Sequence, residues 1–579
     1  MRKVLFLILL SLSLRFIHLI ELDYSVLANH LTGDEITHKQ WASDVLHGRI
    51  KELVPFFRAP LYGFFLAWII NISNGTLYAI RFFQQVIGTA TVVMSFLIGL
   101  ELFSPLVALT AGLILASYPL LMYFEGFLFL ENLYLFFVMA GILFFVRAIK
   151  YKQFKWTGGS ALFLSAAALT RPNILFFIPF VFLAFIKESL PKKQILGFSF
   201  FLLLMICPVT LVNDWYGKGF CLISTQGGIN FYAGNSLASD GIIPCVPNSS
   251  LSDQELTARC SFLKKTAWNV DNLWQVSQII PNIGNDKQLS EIEVSGWWYK
   301  KTLEEIRSDI PLFLKRLARK FLFLVGSYEP PNNTDPGYAM GRFFPLLRGL
   351  SRVINFCILW VFFLPGCFLA WKLYPRSRWL LLYLISMSAV ILAFFVNARF
   401  RVQLIPVMAL FSAVFIEWLM KKKGLFSISA LLIPVMVVTA VVFSQLFRLY
   451  PETSQIRSSK ALFHNSLSLA YLDHQQSDKA LDEINAALRL HTGEEFIFLH
   501  TLSVIQSRYL NKPDEAIRSL EKSVELCEHP VSLFDLASLY YQRGLNDPCL
   551  NALNRLLLLA PDHSRARELK EKVVREDRG

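Results

Sequence analysis

Eleven stretches of this chain are apolar over lengths near those a lipid bilayer demands, at residues 4–22, 78–101, 105–122, 127–147, 157–170, 173–186, 194–212, 351–372, 379–396, 402–420 and 425–447. A helix needs about 20 apolar residues to cross the hydrocarbon. No water is present there to satisfy backbone N–H and C=O groups, so each run has to be helical. The expected fold is therefore mostly α, with a polytopic transmembrane domain of about 11 helices over residues 1–450. Segments 157–170 and 173–186 are short and are split by Arg171-Pro172. They read as a broken pair dipping towards a cavity, where irregular backbone is tolerated.

A chain of 579 residues that is 54% hydrophobic and carries 51 Phe is too apolar for one soluble domain. Its net charge of +13 would point to nucleic acid in a soluble protein. Here much of the Lys and Arg forms short clusters between apolar runs, the pattern of cytoplasmic loops touching membrane lipids, and no nucleic acid is expected as a partner. Met1-Arg2-Lys3, residues 147–155, Lys187 with Lys192 and Lys193, Arg376 with Arg378, and Lys421 to Lys423 all fall on one side if the runs alternate. That side is the cytoplasm by the positive-inside rule. The opposite, external side then receives loops 23–59 and 213–350 and the C-terminus. The basic, apolar N-terminus has no small-x-small cleavage site and reads as an uncleaved first helix rather than a removed signal.

Within the long loop, residues 217–241, rich in Gly, Asn and Ser, read as turns and extended segments. Residues 291–324 read as helical, ending in the amphipathic stretch PLFLKRLARKFLFLVG, which lies on or dips into the external leaflet. The eight cysteines show no zinc spacing; Cys245 and Cys260 share this loop and fit either a disulfide or two free thiols.

Past residue 450 the composition turns soluble, and Ala480-Leu481, Ala516-Ile517 and Cys549-Leu550 recur at spacings of 36 and 33 residues. These are close to the period of about 34 of a helix-turn-helix repeat. Residues 451–579 thus resemble an α-solenoid of tetratricopeptide repeats, a surface suited to a protein partner.

The chemistry is expected in the polar stretch TGDEITHKQWASDVLHGRIKELVPFFRAPLY, residues 32–62, directly behind the first span. Asp34 can take a proton from an acceptor hydroxyl. Glu35 is a second candidate, although Thr32-x-x-Glu35 also fits a capping box. Arg58, in front of Pro60-Leu61-Tyr62, can clamp a phosphodiester or else snorkel to head groups. Glu125 and Glu131 stand where one span ends externally and the next begins, and six residues apart they do not share a helix face. Arg171, Arg399 and Arg401 interrupt apolar sequence and need an anion. His38 falls near Asp34 on a helix, which leaves a divalent metal open, but no ligand spacing identifies one, so no metal residue is assigned. Walker A, GxGxxG, HExxH and GxSxG motifs are missing from the sequence.

The order of these features, from the first helix and Asp34-Glu35 through Arg58-x-Pro60-Leu61-Tyr62, Glu131 and Leu169-Thr170-Arg171-Pro172 to Arg399-x-Arg401 followed by Pro406, resembles the membrane-embedded type C glycosyltransferases. The likeness is to their protein O-mannosyltransferase and aminoarabinose transferase branch, over residues 1–450. The resemblance implies a polyprenyl-phosphate-linked sugar donor and transfer to a protein, lipid or glycan on the external face. It implies Asp34 as the catalytic carboxylate, Arg58 at the carrier phosphate and Glu131 as the acid at the external end of the fourth helix. Glu35 joins the catalytic set, and Tyr62, Glu125, Arg171, Arg399 and Arg401 the substrate-binding set. Phe57 and Ala59 depart from relatives that carry an acid and a Pro there, which bears on the sugar more than on the reaction. A bacterial inner membrane location with an external C-terminal domain follows. Two rivals remain: a non-enzymatic membrane-anchored repeat scaffold, and a transporter, for which no inverted symmetry is visible.

Overall fold

Prolines and polar breaks cut the apolar runs differently from the way their lengths alone suggest. The computed structural model describes residues 2–242, 289–421 and 453–576, and its regular structure there is helical. Two compact units are present, one containing the membrane helices and the other the helices after residue 452.

The membrane unit begins with α1 (Arg2–Asp23), followed on the polar stretch by α2 (Asp34–Leu46) and a short 3-10 turn. Then come α3 (Leu61–Ile72), α4 (Leu77–Leu102), α5 (Pro105–Ala116), α6 (Pro119–Glu125), α7 (Glu131–Tyr151), α8 (Phe154–Thr170), α9 (Ile178–Lys187) and α10 (Lys192–Gly217). The long loop contributes α11 (Gly227–Asn235), α12 (Glu291–Ser308), α13 (Ile310–Val325), α14 (Pro336–Phe343) and α15 (Pro345–Val353). The unit closes with α16 (Phe356–Leu373), α17 (Arg378–Ala393), α18 (Ala398–Arg401) and α19 (Ile405–Lys421).

Among the described residues seven helical stretches are long and apolar enough to span, or eight if α5 and α6 count as one bent span, against the eleven expected. Run 105–122 is bent by 53° because Pro119 cannot continue the hydrogen-bond ladder of α5. Run 157–170 forms the 17-residue α8. Run 173–186 starts as a 3-10 turn from Pro172 and becomes the ten-residue α9, so Arg171-Pro172 is indeed a break. Run 425–447 lies outside the described residues, as do Cys245 and Cys260.

One reading of the long loop needs correction. GGINFYAGN is helical (α11), not turn or extended, because Gly228 lets its backbone approach Ser295 of α12 closely. Helix α13 buries two of its basic groups, Arg316 donating to the Asn235 carbonyl (2.8 Å) and Lys320 to Asn235 Oδ1 (2.8 Å) and the Leu392 carbonyl (3.1 Å). Asp309 breaks the run by capping α13 through the Leu312 N–H (2.9 Å).

One end of the unit gathers the basic loops. Glu101 receives Arg147 (2.8 Å), Lys150 and the Tyr151 hydroxyl (both 2.9 Å), Glu417 pairs with Lys421 and with Ser104, and Glu188 receives Trp379 Nε1 (3.2 Å). This is an integral membrane protein whose basic ends share one face of the bundle.

The second unit stacks helical pairs: Ser454–Asp473 with Ser477–Leu488, Glu495–Val504 with Pro513–Leu526, and Pro530–Gln542 with Asn546–Leu559, followed by Ser564–Glu576. Ala480, Ala516 and Cys549 are each fully buried in the second helix of their pair.

Helix α16 meets α19 backbone to backbone at Gly366, where an added Cβ would lie 2.0 Å from the Phe411 carbonyl oxygen. Gly366→Ala is expected to lower stability by about 1–3 kcal/mol through forced separation of the helices. Thermal unfolding of the detergent-purified protein reads this; an unchanged midpoint would show that the contact is soft.

Candidate functional site

At the end of the unit opposite the basic loops, five charged side chains form one chain of ion pairs. Arg58 donates to Asp34 Oδ1 (2.9 Å), and Arg399 donates from one nitrogen to Asp34 Oδ2 (2.5 Å) and from Nε to Glu131 Oε1 (2.8 Å). Arg171 completes it at 3.1 Å from the same Glu131 oxygen. The array is graded in depth: the Asp34 and Arg58 side chains are 24% and 21% exposed, those of Arg399 and Glu131 4% and 1%. The planes of Phe129 and Phe400 cover Arg399 and Arg171 at 4.2 and 4.1 Å.

Each member is delivered by a different element. Asp34 occupies the first turn of α2, where the helix dipole favours an anion, behind Gly33 at the N-cap. The Thr32-x-x-Glu35 capping box is not what starts the helix: no side chain caps it. Arg58 follows a segment pinned by backbone bonds from Thr225 to the Phe56 carbonyl (3.0 Å) and from Gln226 to that of Phe57 (3.1 Å), with Asn213 Oδ1 receiving the Phe56 N–H (2.8 Å). Glu131 opens α7, Arg171 ends α8, and Arg399 sits in α18, capped by Asn397.

Burial acts to raise the Asp34 carboxyl's pKa, but the guanidinium groups of Arg58 and Arg399 outweigh it and hold the group well below the usual carboxylate range. His38, one turn further along α2, is buried beside Tyr62 with ring centroids 4.9 Å apart. Burial and then the Arg58 charge lower its pKa to about 3, against the opposing pull of Asp34, so it is neutral at ordinary pH. Among the described residues no three His, Cys, Asp or Glu side chains converge as metal ligands.

The other candidates stand elsewhere. Glu35 is fully buried, and its Oε1 accepts the Leu128 N–H (3.0 Å), which fits a fastening role for a residue expected in the catalytic set. Tyr62 donates to Gln84 Oε1 (2.9 Å), whose amide in turn holds the carbonyls of Glu125 (2.9 Å) and Phe127 (2.7 Å). Glu125 pairs with Arg15 of α1 instead of joining the array. Arg401, two residues from Arg399, is fully buried and committed to Glu329 and to the carbonyls of Phe323 (2.9 Å), Gly326 and Tyr328 (both 2.7 Å). Sequence reasoning passed over Arg15, although a lone arginine within the first span was a signal in itself.

Residues 57–212, which hold Arg58, Glu131 and Arg171, match the family described as dolichyl-phosphate-mannose-protein mannosyltransferase. Over that stretch the membrane unit is similar to these glycosyltransferases. That agrees with the motif order read from the sequence. No curated protein matches the chain. Among solved structures it is similar to the oligosaccharyltransferase of Archaeoglobus fulgidus in its apo form, at 13% identity and a TM-score of 0.42, covering 79% of this chain and 55% of that one. A second structure, the archaeal oligosaccharyltransferase AglB of Archaeoglobus fulgidus with an inhibitory peptide and a dolichol-phosphate, gives 14% identity, a TM-score of 0.38, and coverage of 89% and 59%. The chain thus spans little more than half the length of those enzymes.

The electrostatics predict an acid limb in stability. A histidine whose folded pKa is lowered binds fewer protons than in the unfolded chain, so stability falls as pH drops from about 6.5 towards 3, by at most about 1.4 kcal/mol per pH unit. Asp34, depressed, adds its own loss only below about pH 4. His38→Gln is therefore expected to flatten the decline in melting temperature between pH 7 and 5; an equal decline in both proteins would place the titrating group elsewhere.

Proposed function

We propose that this protein transfers a sugar from a polyprenyl-phosphate carrier to an acceptor hydroxyl at the external face of a bacterial inner membrane. One observation carries the reading: a carboxylate, Asp34, is set between two guanidinium groups at the more exposed end of a charged array buried behind it. Three arginines against two carboxylates leave one positive charge in excess, suited to a phosphate anion.

The acceptor oxygen attacks the anomeric carbon while Asp34 takes its proton. The bond from that carbon to the phosphate oxygen breaks, and the carrier phosphate leaves with the electron pair, its charge balanced by Arg58. In the resting array Asp34 is a weak base because Arg58 and Arg399 stabilise its ionised form. A phosphate drawing Arg58 to itself removes part of that stabilisation and raises Asp34's basicity as the donor arrives. Glu131 and Arg171 keep Arg399 in place from behind. Glu35, Tyr62, Glu125 and Arg401 support the surrounding backbone on this reading. His38 is kept neutral beside the array. Residues 213–242 and 289–350 of the long loop set acceptor choice, and the helical pairs after residue 452 hold a protein partner or the acceptor itself.

The test is transfer of label from polyprenyl-phosphate sugars in membranes carrying wild-type, Asp34→Asn or Arg58→Ala protein, with protein and lipid fractions counted separately. Asp34→Asn is expected to lower transfer at least about 100-fold at unchanged protein level. Arg58→Ala is expected to raise the donor KM by about 10-fold or more. The fraction that loses label names the acceptor class. Equal labelling by all three proteins would instead favour a membrane-anchored scaffold whose working part is the repeats.

A further inference from the structure

A second ion pair lies inside the membrane bundle, away from the array. Arg15 stands in the second half of α1, more than two turns before its end at Asp23. Its guanidinium meets the Glu125 carboxylate twice, at 2.8 Å to Oε1 and 2.7 Å to Oε2, and both side chains are buried. Arg15 also donates to Ser11 (2.7 Å) and to the Ala116 carbonyl (3.3 Å), the last residue of α5 at the bend into α6. Room for the carboxylate depends on Gly88 of α4: a Cβ there would sit 2.2 Å from Glu125 Oε1. Charges at this depth are costly, and a sequence that keeps them gains something beyond packing.

The gain is traced through the turn that follows. Glu125 ends α6 and Glu131 begins α7. Between them Phe127, Leu128 and Phe129 are fully buried. The turn is held at its start by Arg15 on the Glu125 side chain and by Gln84 on the Glu125 carbonyl (2.9 Å), and in its middle by Glu35 on the Leu128 N–H (3.0 Å). Its far end places Phe129 under Arg399 at 4.2 Å and Glu131 against Arg399 at 2.8 Å.

We propose that Arg15 and Glu125 are positioning residues, a membrane-buried pair that fixes the turn at residues 125–131 and so sets where Arg399 holds Asp34. The assignment rests on the site reading given under Proposed function. Removing one partner strands a buried charge, so single substitutions would report mainly on folding. The informative variant is Arg15→Gln with Glu125→Gln, which keeps hydrogen-bonding shape without charge. Gly88→Ala is its complement, because it retains both charges and displaces the carboxylate.

Full-length protein in detergent is assayed with a short-chain mannosyl-phospho-polyprenol donor, kcat being normalised to folded protein measured by thermal unfolding. The double variant and Gly88→Ala are each expected to lower kcat about 10-fold, with donor KM changed less than about 2-fold, as a misplaced but intact binding site would. A structural role alone would reduce the amount of folded protein and leave kcat per folded molecule at the wild-type value, and that result in either variant overturns the proposal. Should the double variant fail to fold, Gly88→Ala decides alone. If the wild type is active and Asp34→Asn keeps that activity, the site reading fails; if Asp34→Asn is inactive while Gly88→Ala retains full kcat, only the positioning role fails.

Discussion

Sharing of carboxylates between guanidinium groups is what makes the charged array tolerable at the edge of a membrane. An ion taken out of water loses several kcal/mol of solvation, and one opposite charge seldom restores all of it. Asp34 lies between Arg58 and Arg399, and Glu131 between Arg399 and Arg171, so each anion is compensated twice. Phe129 and Phe400 supply the remaining faces to the cations. Such an arrangement tolerates little displacement, because a shift of any one guanidinium leaves a carboxylate partly uncompensated. The backbone bonds that fix Phe56 and Phe57 to residues 225–226, and the cap of Asn397 on α18, therefore serve the same array as the ion pairs themselves.

Neighbouring charges in the sequence are sorted to different tasks by helix geometry. Successive residues of a helix point about 100° apart. Asp34 consequently faces the arginines while Glu35 turns inward to the Leu128 N–H. Arg399 and Arg401 divide likewise, one to the array and the other to Glu329 and three carbonyls. The residue types and their order were legible in the sequence: Asp34, Arg58, Glu131, Arg171 and Arg399 all stood out as charges set against apolar runs. Their pairing was not, because Asp34 and Arg399 are 365 positions apart and only the packing of α2, α7 and α18 brings them together.

The same contrast separates the two units. In the repeats, Ala480, Ala516 and Cys549 mark helix-helix contacts between sequence neighbours, so a period near 34 residues carries most of the architecture. In the membrane unit, length and hydropathy locate the apolar runs but say little about where a helix bends or stops. Pro119 bends one run, and Pro172 starts a 3-10 turn in another. Helix α11 runs against its glycine-rich composition because the small residues that weaken a helix in isolation allow the close approach to α12 that stabilises it here.

Depth gives the array a direction. Arg399 is nearly sealed from solvent and is held by Glu131 as well as Asp34, whereas Arg58 is among the more exposed members and Asp34 is its ion-pair partner. An anion arriving at the mouth competes for both guanidinium groups, but Arg58 can turn to it by giving up one ion pair, whereas Arg399 would give up two, one of them to the buried Glu131. On the proposed reading, exchange of carboxylate for phosphate is therefore one-sided: Arg58 swings to the phosphate and Arg399 stays. Asp34 then keeps one positive neighbour instead of two, enough to remain ionised and orientated, and its affinity for a proton rises as the leaving group becomes engaged. On the proposed reading the array thereby links occupancy of the phosphate position to the basicity of the carboxylate, using no moving part larger than one arginine side chain.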